Sequence, residues 1–161
     1  MIKVLFICHG NICRSPMCEF VLKNMVEEWG IADEFLIESA ATSDEECYGG
    51  YGNPVYPPAM AELMSHGIGT TDNELGLSEK RARQFKRSEY DNWDYIICAE
   101  DRNVRALERI IGGDPKNKIT RLLDYTDTPG DINDPWYTGD FSGVYKQIEK
   151  GCKAFLEKLN Y

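Results

Sequence analysis

The sequence predicts a single α/β domain over residues 1–161: a four-stranded, parallel, twisted sheet with helices on both faces, Rossmann-like in layout. Three observations carry this expectation. Residues 2–7 form a nearly continuous apolar, β-branched run, as a strand covered on both faces requires, and three further short strands are expected along the chain. Segments with helical apolar spacing separate them, and strand–helix alternation makes the sheet parallel. The 161 residues are 42% hydrophobic and 28% charged. That is enough to bury one core without staples and too apolar for a disordered chain.

Taken in order, residues 2–7 (Ile-Lys-Val-Leu-Phe-Ile) form the first strand. Ser15-Pro16 marks a helix start, with Ser as N-cap and Pro at the first helical position. Met17, Val21, Met25 and Trp29, with Cys18, Leu22 and Val26, share one helical face. Glu19, Lys23, Glu27 and Glu28 share the other, and Gly30 ends the helix. Residues 35–39 make the second strand, followed by an acidic Gly/Pro-rich loop over about 42–58. A helix over 59–66 stops at Gly67, and Ser78 and Ser88 cap two short helices. Residues 95–99 form the third strand, 102–111 a helix ended by Gly112-Gly113, and 119–123 the fourth strand. After a long loop, 124–139, a last helix over about 141–159 aligns Phe141, Val144, Tyr145, Ile148, Cys152, Phe155 and Leu159. Sheets of this kind bind ligands at the carboxyl ends of their strands, so loops 8–15 and 124–139 can share one rim.

Charge and cysteine use exclude several classes. Eighteen Lys+Arg against 27 Asp+Glu give a net charge of −9, a field that repels nucleic acid and anionic membranes. No apolar run reaches the length of a membrane span, and the opening MIKVLFI meets Cys-His-Gly-Asn too soon for a signal peptide. The six cysteines therefore read as reduced thiols of a cytoplasmic protein. With two histidines, no C-x-x-C and no zinc spacing, neither a metal nor a cofactor is expected.

The segment Cys8-His9-Gly10-Asn11-Ile12-Cys13-Arg14-Ser15 joins a buried strand to a helix N-terminus. Gly10 and Asn11 can take left-handed backbone angles, turning successive N–H groups inward as an anion nest. The helix N-terminus adds partial positive charge, and Arg14 offers a planar fork for two oxygens of a tetrahedral oxyanion. The same N–H groups favour the thiolate of Cys8, making it a nucleophile aimed at phosphorus. Cys13 is either a small packing residue or, five residues from a reactive thiol, the partner in a protective disulfide. His9 reads as a solvent-facing side chain.

Cys8-x5-Arg14-Ser15-Pro16, as C-H-G-N-I-C-R-S-P, resembles the low-molecular-weight protein tyrosine phosphatases. The resemblance runs along nearly the whole chain: Ser39-Ala40-Ala41-Thr42-Ser43, His66-Gly67-Ile68, Arg81-Ala82-Arg83-Gln84 as an A-R-Q helix, and Asp134-Pro135-Trp136-Tyr137 as the acid loop. It implies Cys8 as nucleophile, Arg14 as phosphoryl binder and Asp134 as general acid. The backbone cradle of His9, Gly10, Asn11, Ile12, Cys13 and Ser15 would bind the substrate. Ser15 would hydrogen-bond the thiolate, and Asn11 and Ser39 would hold the loop's shape. Phosphotyrosine in proteins or peptides is the implied partner, inorganic phosphate the product, and aryl phosphates are further substrates. The chain also departs from the pattern. Lys80 stands where a His commonly supports the loop's Asn, so that network must be rebuilt or lost. Tyr56-Pro57-Pro58 replaces D-P-R, Ala99-Glu100 replaces M-D, and the variable loop is longer, with Glu45, Glu46, Cys47, Tyr48, Gly49, Gly50 and Tyr51.

Chemistry independently requires an acid, because expelling an aryloxide or alkoxide needs a proton donor that the thiolate loop lacks. Asp124, Asp127, Asp131, Asp134 and Asp140 all lie nearby; Pro135 stiffens the residue beside Asp134, and the resemblance selects it. Trp136 and Tyr137 follow and can flank an aryl ring, with Tyr48 or Tyr51 opposite. Arsenate reduction is the near rival but needs two relay thiols, and Cys98 and Cys152 sit in apolar patterns. A protein-arginine phosphatase would carry Thr at Ile12. A phosphocysteine carrier would not need Arg14 and Asp134.

Overall fold

The computed structural model describes residues 1–48 and 51–161; Gly49 and Gly50 of the variable loop lie outside the described residues. Strand β1 (Ile2–Cys8) pairs in parallel with β2 (Phe35–Ala41) on one side and β3 (Tyr95–Cys98) on the other, and β4 (Ile119–Arg121) extends the sheet beyond β3. The order β2-β1-β3-β4 puts β1 at the centre, which is why its run is continuously apolar. Alternate side chains of β1 enter two cores. Val4, Phe6 and Cys8 join the core beneath helices α1 (Arg14–Glu28) and α5 (Phe141–Lys158), flanked by α2 (Pro57–Ser65). Leu5 and Ile7 face Leu107 and Ile111 of α3 (Asp101–Ile111), with Phe85, Tyr90 and Trp93 beside them. The expected four-stranded parallel sheet with helices on both faces is therefore the observed architecture. Among the described residues no helix is long and apolar enough to cross a membrane.

Several local expectations are corrected. Helix α1 begins at Arg14 with Cys13 at the N-cap and no capping side chain. Ser15 and Pro16 lie inside its first turn, where a missing N–H costs nothing because those groups have no intrahelical acceptor. Likewise Ser78 and Ser88 fall inside the 3₁₀ turns Leu77–Glu79 and Arg87–Asn92 rather than capping them. Residues 122–123 leave the sheet as a 3₁₀ turn (Leu122–Tyr125), because Leu122 is drawn into the core under α5. No helix forms at 81–84. That segment runs extended along the edge of β2: Arg81 bridges Pro54, Gln84 bridges Ala41, and Ala41 N–H donates to the Arg83 carbonyl at 2.7 Å. It thereby pairs edge groups that would otherwise be open. Glu19, expected on the solvated face of α1, is 4% exposed.

The carboxyl ends of the strands are laced together. Thr42 N–H and Ser43 N–H donate to the carbonyls of Cys8 and His9, each at 3.0 Å, and Ile132 N–H donates to the Ala99 carbonyl at 2.8 Å. The loops after β1, β2 and β3 and the segment leading into the short helix α4 (Pro135–Thr138) therefore share one rim, as expected for 8–15 and 124–139.

Candidate active site

Cys8 is the last residue of β1, and its sulfur sits 3.0 Å from Ser15 Oγ and accepts from Asn11 N–H at 3.3 Å. Asn11 holds the loop's turn at φ 61°, a left-handed conformation that a non-glycine residue adopts only when its surroundings enforce it. They do. Asn11 Nδ2 donates to Ser15 Oγ (2.8 Å) and to Ser39 Oγ (2.9 Å), and its Oδ1 accepts from Arg83 N–H (3.1 Å). Because Ser15 Oγ already accepts from Asn11, its own proton is free to point at the Cys8 sulfur. Gly10, by contrast, does not take the left-handed conformation. A Cβ there would lie 3.3 Å from Glu46 Cγ, so its smallness lets Glu46 pack over the loop.

The network continues inward. Ser39 Oγ donates to Glu19 Oε1 at 2.6 Å, Lys23 Nζ donates to Glu19 Oε2 at 2.6 Å, and Lys80 Nζ donates to the Ser39 carbonyl at 2.9 Å while standing 3.7 Å from Glu19 Oε1. Lys80 thus rebuilds the support expected to be at risk, donating to the Ser39 carbonyl and setting its charge beside Glu19. Burial lowers its pKa, and Glu19 opposes that shift.

Arg14, 3% exposed in the first turn of α1, lies beside the thiol. One guanidinium nitrogen, Nη1, donates to Glu100 and to the Ile132 carbonyl (3.1 Å); the other, Nη2, faces Asp134 Oδ2 at 3.4 Å. Burial works against its charge, yet Cys8, Glu100 and Asp134 outweigh that and hold its pKa above the ordinary range. Glu100 was not assigned a role from sequence, where it registers only as Glu in place of Asp. Its position at the carboxyl end of β3, on the shared rim, is the signal that could have found it.

Geometry also separates the five acids. Asp124 and Asp131 bind Arg121, Asp127 binds Lys150, and Asp140 caps α5 by accepting from Gly143 N–H at 2.9 Å. Asp134 caps α4 by accepting from Trp136 N–H at 3.0 Å and turns its other oxygen toward Arg14. Among the described residues it is the one aspartate that lines the cavity over Cys8.

That cavity measures about 270 Å³, just under the range of drug-sized ligand clefts (~300–1,000 Å³). Cys8, Cys13 and Arg14 line it from the cradle, with His9, Gly10 and Ile12. Trp136 and Tyr137 line it from α4, and Glu45 and Glu46 from the loop after β2. Tyr48 and Tyr51 do not line it and are exposed, so the expected aromatic partner across from Trp136 is replaced by glutamates. His9 is half exposed, 3.2 Å from Glu45. Cys13 is buried, and burial first, then Cys8 and Asp134, pushes its pKa up to about 12, so it persists as a thiol. Cys98 and Cys152 are buried thiols in apolar surroundings. Among the described residues no group of His, Cys, Asp and Glu could hold a metal. The arrangement is chemically a sulfur nucleophile, a fixed guanidinium with a helix N-terminus beside it, and a carboxyl group within reach of the same small cavity.

The whole chain is similar to proteins of one family. The family model described as low molecular weight phosphotyrosine protein phosphatase matches residues 3–161. The low molecular weight phosphotyrosine protein phosphatase of Sus scrofa is 38% identical, the alignment covering 98% of this chain and 95% of that protein. The crystal structure of YfkJ from Bacillus subtilis superposes with a TM-score of 0.88 at 33% identity, covering 99% of this chain and 95% of that one. A low molecular weight protein tyrosine phosphatase from Streptococcus pyogenes gives 0.83 at 36% identity, covering 99% and 93%.

Proposed function

The chain belongs to the low molecular weight phosphotyrosine protein phosphatase family, and from that membership we propose that it hydrolyses phosphotyrosine in proteins or peptides through a phosphocysteine on Cys8. The observation that carries this reading is the convergence on one cavity of Cys8, Arg14 and Asp134. In the first step the Cys8 thiolate attacks phosphorus, a P–S bond forms, and the P–O bond to the phenol breaks. Asp134 gives its proton to the departing oxygen. Ser15 Oγ–H and Asn11 N–H stabilise the sulfur anion before attack and after release. Arg14 and the backbone N–H groups of the loop leading into α1 would bind the equatorial oxygens, where charge collects in the transition state. In the second step Asp134, now a carboxylate, takes a proton from water as the water's oxygen attacks phosphorus. The P–S bond breaks, inorganic phosphate leaves and the thiolate returns.

Glu100 is a positioning residue in this scheme: it fixes the Arg14 fork through Nη1 and leaves Nη2 toward the cavity. No cofactor or metal enters any step. A free thiolate nucleophile works in a reducing compartment, which supports a cytoplasmic site of action. Aryl phosphates, having good leaving groups, are expected substrates too. Rapid quench with a labelled phosphate ester tests the scheme: label should be trapped on Cys8, and Cys8→Ser should abolish both label and turnover. Label mapping to another residue refutes it.

A further inference from the structure

We propose that the carboxylates at the cavity mouth make this phosphatase select phosphotyrosines with cationic neighbours, and that Glu45 is the specificity-determining residue. The proposal rests on the phosphotyrosine reading above and narrows it to a substrate class. Among the described residues Arg14 is the one lysine or arginine lining the cavity, and it lies at the cradle, 3% exposed and held by Glu100, the Ile132 carbonyl and Asp134. The charges a substrate chain meets outside the cradle are different. Glu46 is pinned over Gly10: its Oε2 accepts from Asn53 Nδ2 at 2.5 Å, and its carbonyl accepts from Asn53 N–H at 2.8 Å. An amide donor orients that carboxylate without cancelling its charge. Glu45 is held at the backbone, where its N–H donates to Ser43 Oγ at 3.1 Å, while its side chain stays 66% exposed beside His9. Among the described residues, neither glutamate meets a lysine or arginine.

The second half of the mouth favours the same chemistry. Trp136 and Tyr137 are 55% and 84% exposed and line the cavity that Glu45 and Glu46 line. Trp136 packs on Tyr56 at a ring separation of 4.8 Å, which leaves much of its surface open. Exposed aromatic faces attract guanidinium and ammonium groups, as carboxylates do. A phosphorylated peptide with acidic flanks brings further negative charge to within a Debye length, ~8 Å, of two carboxylates, whereas a flanking Arg or Lys reverses the sign of that interaction.

The test uses the full chain and three phosphotyrosine peptides identical except for Arg, Ala or Glu on both sides of the phosphotyrosine. At low ionic strength kcat/KM should fall in the order Arg, Ala, Glu, with the extremes about three- to tenfold apart and converging in high salt. Glu45→Gln should shrink the Arg/Glu ratio, adding Glu46→Gln to it should shrink the ratio further, and Glu45→Lys should invert it. Since the readout is a ratio between peptides, a general loss of activity does not mimic it. Equal kcat/KM for the three peptides, or a ratio that survives salt and both Gln variants, overturns the proposal. Failure of all three peptides beside turnover of a phosphoserine or phosphoarginine peptide overturns the phosphotyrosine reading instead.

Discussion

Asn11 shows how one side chain sets the geometry of a reactive sulfur. Its amide makes two buried hydrogen bonds, to Ser15 and Ser39, and a part-buried one from Arg83 N–H, while its backbone sits at φ 61°. Alanine at this position keeps the left-handed strain, roughly 1–2 kcal/mol, and leaves buried partners unpaired at about 1–3 kcal/mol each. Asn11→Ala should therefore cost about 3 kcal/mol or more in urea unfolding and lower kcat/KM. Asn11→Gly should recover the strain but not the activity; recovery of both would mean that the amide network is dispensable. Asp134 yields a different prediction. Asp134→Asn keeps the shape and removes the proton, so its effect should grow with leaving-group basicity: small for an activated aryl phosphate, and toward the ~10²–10⁴-fold of a full general acid for phosphotyrosine. In kcat/KM, which reports steps before phosphocysteine hydrolysis, Asp131→Asn and Asp140→Asn should show no such dependence. A uniform loss for Asp134→Asn would reassign it to ordering α4, whose cap it also makes.

At the scale of elements, the docking of α5 on the turn after β4 decides where the acid segment begins. Gly151 lies in the buried face of α5, and a Cβ there would come 2.5 Å from Leu122 Cγ. On an exposed helix, Gly→Ala stabilises by about 1 kcal/mol through propensity. Here the clash with a fully buried leucine reverses the sign, and Gly151→Ala should destabilise by about 1–3 kcal/mol, as overpacking does. Thermal unfolding checks this, and stabilisation would show that the 3₁₀ turn gives way freely. The extended segment 81–84 is a second case in which an element serves the site. It pairs with the end of β2 at Ala41 and delivers Arg83 N–H to Asn11, and Lys80 just before it reaches the Ser39 carbonyl.

Across the whole molecule, buried thiols tie stability to alkaline pH. Burial raises the pKa of Cys13 from 9.0 to about 12 and lifts Cys18, Cys98 and Cys152 as well. A thiol that keeps its proton in the fold holds one that the unfolded chain releases. Its stabilising share is thus complete below the unfolded value, 9.0, and is lost as pH rises toward the folded one. Lys80 has the opposite sign, because burial lowers its pKa and its cost is relieved as pH rises, but it stands against the four buried thiols together with Cys47 and several tyrosines whose pKa is also raised, Tyr125 and Tyr145 among them. The urea midpoint should therefore fall steadily above pH 9, at up to ~1.4 kcal/mol per pH unit for each titrating thiol. Cys13→Ala should make that slope shallower whatever it does to stability at neutral pH; an unchanged slope would remove Cys13 from the account.

The alternation of strands and helices, the two-faced sheet and the reactive loop were legible because each rests on local chemistry, whereas the spatial order of the strands came only with the structure. A continuous apolar run must be covered on both sides, and a Cys-x5-Arg loop between a strand and a helix carries its own donors. The corrections share one cause: side chains whose local preference loses to a distant partner. Ser15 gives up capping because Cys8 and Asn11 stand across the loop. Glu19 leaves the solvated face because Ser39, Lys23 and Lys80 neutralise it in the interior. Glu100 acquires meaning only where the end of β3 meets Arg14, 86 residues away in sequence, and Asp134, already marked by its Asp-Pro-aromatic signature, is set apart from its neighbouring acids by facing Arg14 across 120 residues. The glutamate wall of the cavity depends on how the loop after β2 folds back over Gly10. Periodicity and spacing report what a segment does with its immediate neighbours. Which charges face one another across a cavity is a long-range outcome, decided when desolvated groups must find partners.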